Sequence, residues 1–93
     1  MRTNPQFALG QVVATPGALA ALQEAGQLPL VFLCRHQTGD WGNIPPEDAQ
    51  ENALSIEQGF RILSAYSLTT GVKIWLLTEA DRSATTLLLP SEY

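Results

Sequence analysis

Five consecutive positions, Glu79-Ala-Asp81-Arg82-Ser83, gather two carboxylates, a guanidinium and a hydroxyl between two apolar runs. A hairpin loop on a rigid sheet is where functional groups are usefully mounted. Alternation from Trp75 and Leu77 puts Glu79 beside apolar surface, a setting that suits a general base. Arg82 has the planar fork that grips a phosphate or carboxylate. The bland alternative uses the same residues. Asp and Ser are turn formers, and Glu79 or Asp81 pairing with Arg82 would simply order the hairpin.

Cys34-Arg-His36, with Asp40 four residues beyond the histidine, offers metal-ligand types. Cys-x-His lacks the second ligand pair that structural zinc spacing demands, so no metal is expected. On a helix, positions two apart do not face each other, and this also defeats a Cys34/His36 nucleophile pair. Cys34 is then expected as a small core residue, and His36 as a helix-terminal imidazole whose charged form the dipole favours. No serine sits in Gly-x-Ser-x-Gly, and no phosphate-cradling glycine loop is present, so no nucleotide cofactor is expected. Glu47, Asp48, Glu51 and Glu57 give one segment an acidic flank, read as a solvated face or as a dock for a basic partner.

The elements that must position these groups can be read along the chain. Gln11–Thr15 has strand character. Thr15 is set up as an N-cap with Pro16 at the first helical position, and Gly26 ends the helix that follows. Pro29 opens a second helix over Leu30–Gln37, with Leu30, Leu33 and Cys34 on one face. Gly39-Asp-Trp-Gly42 is a bend that delivers a large ring to the core. Pro45-Pro46 starts a third helix with Ala53, Leu54 and Ile56 inward, and Gly59 closes it. Three apolar, β-branched and aromatic runs follow, Phe60–Leu68, Val72–Thr78 and Ala84–Leu89, separated by short turns. The pattern predicts a single α+β domain over 1–93: a short N-terminal strand, two to three helices, then a three-stranded antiparallel β-meander. Its strands are apolar on both faces, so either Phe7–Val13 wraps across one face or a second copy covers it as a homodimer.

The 93 residues suffice to bury roughly 60–65% of the unfolded surface. An apolar content of 45% against 15% charged excludes wholesale disorder. Nine carboxylates against five Lys/Arg give a net charge of −4, which argues against a nonspecific nucleic-acid binder. One cysteine and no apolar run of spanning length fit a cytoplasmic protein with no membrane segment.

Several stretches together resemble a group of small bacterial plasmid-related and mobile-element proteins of unknown function. They are Phe7-Ala-Leu-Gly-Gln-Val-Val-Ala-Thr-Pro-Gly-Ala18, Gly39-Asp-Trp-Gly42, Leu63-Ser-Ala-Tyr66, Ile74-Trp75, Thr78-Glu-Ala-Asp-Arg-Ser83, Thr85-Thr86 and Leu89-Pro-Ser-Glu-Tyr93. The resemblance implies a mobile genetic element as the setting and carries no reaction with it. The favoured expectation is a protein-protein interaction module that offers Asp40, Trp41, Glu79, Asp81 and Arg82 to a protein partner. The order of elements is also similar to barnase-like and RelE-like ribonuclease toxins, which need no metal. By residue type, that likeness would make Glu79 the base and Arg82 the phosphorane stabiliser, with Thr85 and Thr86 assisting. Fold likeness does not by itself carry function.

Overall fold

The computed structural model describes residues 4–93. Strand β1 (Gln11–Ala14) leads directly into helix α1 (Pro16–Ala25). The Thr15 side chain accepts from the Ala18 N–H at 3.1 Å, and Gly26 closes α1 in the left-handed region at φ 68°, as their residue types predict. Helix α2 (Pro29–Gln37) follows after a bend of 107°. Helix α3 (Pro46–Gln58) ends at Gly59, and then come β2 (Ile62–Ser67), β3 (Lys73–Thr78) and β4 (Ala84–Leu88). A single 3-10 turn, Pro90–Glu92, finishes the chain.

The meander is present: β2 pairs with β3 and β3 with β4, both antiparallel. The sheet nevertheless has a fourth member. Strand β1 pairs parallel with β4, Gln11 opposite Ala84, giving the order β1-β4-β3-β2 and a mixed sheet. The segment expected to wrap across a face therefore extends an edge instead. Once β3 occupies one side of β4, its other side offers a ready ladder, and the apolar run Gln11–Ala14 takes it.

Helices α1 and α2 cover one face. Ala18, Leu22, Phe32 and Leu33 pack there against Tyr66, Ile74, Leu76 and Leu87. The helix faces differ from expectation. In α2 the buried residues are Phe32, Leu33 and His36, while Leu30 is 65% exposed and Cys34 is exposed. Phe32 and His36 are one turn apart, and a run that is apolar nearly all round leaves its phase to be set by what the sheet needs. In α3 the buried residues are polar, Asn52 and Ser55, and Leu54 is 49% exposed. That helix lies beside β2 and docks by hydrogen bonds rather than by an apolar stripe.

The opposite sheet face carries Trp75, Leu77 and Leu88, with Trp75 opposite Leu88. Tyr93 meets Trp75 edge-on at 5.6 Å between centroids, and the Arg61 guanidinium reaches both the Tyr93 ring and its hydroxyl. This small cover leaves Leu77 and Leu88 buried. Gly42 has φ 74°, and its backbone lies so close to the Ala65 carbonyl and the Tyr66 ring that a Cβ would collide with both. That contact brings the 39–42 bend against β2. No single helix among the described residues is long and apolar enough to cross a membrane.

Candidate functional site

The most polar feature of the interior is a chain of side chains on the face beneath α2. His36, Ser64, Thr78 and Thr85 are all fully buried. His36 Nδ1 lies 2.5 Å from Ser64 Oγ, and Nε2 lies 2.8 Å from Thr78 Oγ1. Thr78 Oγ1 is 2.7 Å from Thr85 Oγ1, which reaches the Leu9 carbonyl at 2.8 Å. A carbonyl only accepts, so the Thr85 hydroxyl donates to it and accepts from Thr78. Thr78 in turn accepts from the Nε2–H of His36, and Nδ1 accepts the Ser64 proton. One neutral tautomer satisfies the whole chain.

Burial alone pushes the His36 imidazole down from its ordinary value to about 4. Phe7 and Trp41 close over it edge-on, at 5.1 and 5.9 Å between ring centroids. The dipole expectation for His36 is thereby corrected. A helix C-terminus favours the charged form by about 1 kcal/mol, and removing a cation from water outweighs that. The Ser64–His36 pair has the spacing of a nucleophile and its base but no opening to a substrate.

The 79–83 loop places its groups differently from a catalytic cluster. Arg82 stands in the left-handed region, φ 61°, and its guanidinium turns onto backbone carbonyls. Nη1 donates to Phe60, Glu79 and Ala80 at 2.7, 3.1 and 3.1 Å, and Nη2 to Ser55 at 2.8 Å. Ser55 and Phe60 bracket the C-terminal end of α3, where a cation meets the negative end of the helix dipole. Arg82 thus ties the β3–β4 loop to that helix. The partner of Glu79 is Arg61, at 3.7 Å, with both side chains more than 40% exposed. Asp81 accepts from the Ser83 N–H at 3.0 Å and its carboxyl is held below the usual range by hydrogen bonds from Ser83.

Thr85 belongs to the buried chain, whereas Thr86, one residue on, faces the other side of the sheet. Glu79, Arg82, Thr85 and Thr86 therefore do not converge on one cleft. Asp40 is paired with Arg35, whose Nε and Nη2 donate at 2.7 and 3.3 Å, and this hydrogen bonding holds its carboxyl below the usual range. Its backbone carbonyl accepts from the Tyr66 hydroxyl at 2.6 Å, and burial pushes that phenol up to about 12. Trp41 is half-buried against Phe7.

An open feature lies along α3 and the start of β2. Two adjoining hollows of about 240 and 420 Å³ share Glu51, Ser55 and Arg61. Ile44, Asp48, Asn52 and Leu63 complete the first, and Leu54, Phe60 and Ala80 the second. Leu54 and Phe60 are 49% and 56% exposed. Glu79 reaches the rim of this groove through Arg61. Of its lining residues, the sequence pattern offers only the acidic Asp48 and Glu51 as a surface for a partner. The helix pattern places Leu54 in the core, because an apolar residue on a helix is by default turned inward. The polar pair Asn52 and Ser55, three apart, was the signal for a different buried face.

No family model, curated protein or solved structure matches this chain.

Proposed function

We propose that this chain is a protein-interaction module, working in the mobile-element setting its sequence resembles, and that it holds its partner in the groove between α3 and β2. One observation carries this reading. The groups that could do chemistry are engaged within the fold, while two large apolar side chains, Leu54 and Phe60, stand exposed around a concave, charged-rimmed surface. Exposed apolar anchors beside a hollow are what a partner's side chain would bury, and the Arg61–Glu79 pair at the rim would orient it.

The test uses the full chain in its native cell. Photocrosslinking from position 54 identifies the partner, and calorimetry with the purified partner gives the affinity. The double variant Leu54→Asp/Phe60→Asp is expected to bind about tenfold or more weakly, with an unchanged unfolding temperature. Equal affinity in the double variant would overturn the reading.

A further inference from the structure

The two edges of the sheet are treated unequally. Along the outer side of β2, Asn52 Nδ2 donates to the Leu63 carbonyl at 2.7 Å and Asn52 Oδ1 accepts its N–H at 3.2 Å. The Ala65 N–H donates to the Trp41 carbonyl at 3.1 Å, and the Ala65 carbonyl accepts from Asn43 at 2.6 Å. The outward backbone groups of Leu63 and Ala65 are all met. Among the described residues nothing comparable guards β1.

The bonds Gln11 N–H to Ser83 and Thr15 N–H to Leu87, both 2.9 Å, fix which residues of β1 turn toward β4. Alternation gives Gln11, Val13 and Thr15 to β4 and turns the N–H and C=O of Val12 and Ala14 outward. Among the described residues none hydrogen-bonds to those outward groups. Proteins commonly blunt such an edge with charge, proline or a bulge, and Gln11–Ala14 has no charge or proline and runs in unbroken register. Val12 and Val13 are 44% and 41% exposed. The absence of charge extends much further: between Arg2 and Glu24 there is no Asp, Glu, Lys or Arg, in a chain of net charge −4.

We propose that β1 is a homotypic docking strand, and that two copies join antiparallel along it about a twofold axis at Val13. In that register each Val12 exchanges both backbone hydrogen bonds with Ala14 of the second copy, so the outward groups match themselves. Val13 meets its own counterpart at a non-hydrogen-bonded position, where side chains approach most closely. A second copy is the fitting occupant because a seam without charge lets two chains of like net charge meet with no like charges facing across it. Glu92 sits at the Thr15 end, where the Thr15 hydroxyl donates to it at 2.5 Å. Antiparallel pairing places that end beside Gln11 of the other copy, so the two Glu92 carboxylates stay apart. A seam of four residues is short, so the dimer is weak, with a dissociation constant on the order of 0.1 mM.

Sedimentation of the full chain from about 10 µM to about 1 mM, at physiological salt, tests this. The weight-average mass is expected to climb toward twice the monomer value. Val12→Pro removes only an outward donor and is expected to stay monomeric throughout with its β1–β4 bonds intact. Val13→Lys keeps every backbone group, puts two cations together at the axis, and is expected to be monomeric as well. It serves as the readout if the proline variant fails to fold. A wild-type mass that stays monomeric over the whole range would overturn the proposal, as would association equal to wild type in a folded variant.

Discussion

His36 bonds to two hydroxyls and faces no carboxylate, so its protonation state is set by burial rather than by a partner. Unfolded, the imidazole titrates near its ordinary value of about 6.5, and in the fold near 4. Between those values the unfolded chain binds a proton that the native chain does not, so stability falls as pH falls through that window. The full loss amounts to about 3 kcal/mol. Urea midpoints measured from pH 7 to pH 4 should trace it. His36→Gln, whose amide can still reach a hydroxyl, should be less stable at pH 7 and flatter across the same window. Arg82 gives a second expectation at this scale. Arg82→Lys keeps the charge but cannot fork to Ser55 and Phe60 together, and should cost about 2 kcal/mol in chemical denaturation. The chemistry of these residues was legible as types and not as roles. A guanidinium suited to a phosphate is equally suited to converging carbonyls, and only the relation of α3 to the β3–β4 loop decides between them.

Helix α3 shows how an element can be placed correctly along the chain and turned wrongly about its axis. Its Pro46 start and Gly59 stop are local signals, and they hold. Its inward face is a tertiary matter, because Asn52 completes a strand edge that periodicity cannot see. Asn52→Ala would leave the Leu63 N–H and carbonyl without their partner. We expect a loss of about 2 kcal/mol by urea titration, together with light scattering from strand-edge association at high concentration. Leu54→Gln, by contrast, should alter stability by less than about 0.5 kcal/mol, since that side chain is already half in water. A large loss there would restore the apolar face that the sequence pattern first indicated.

At the level of the whole molecule, the antiparallel meander was readable because each strand is joined to the next by a short turn. The parallel join of β1 to β4 was not, because it links Gln11 to Ala84 and no local signal spans that distance. The same join predicts a pattern of amide exchange. In dilute solution Val13, bonded inward, should exchange slowly, while Val12 and Ala14 exchange at nearly the rate of an open chain. The β3 and β4 amides, flanked by strands on both sides, should be the slowest of all.

The order in which the chain is made gives that join a further meaning. Within this sheet the strand made first has its docking site on the strand made last, so the nascent chain cannot finish the sheet while Ala84–Leu88 is still in the exit tunnel. Until then the apolar sides of α1 and α2 lack the β4 part of the sheet they rest on, Leu87 included, and a translating chain is a natural client for chaperones. Chains arrested ahead of Ala84 should stay open to protease, and chains arrested within an unstructured linker appended after Tyr93 should resist it.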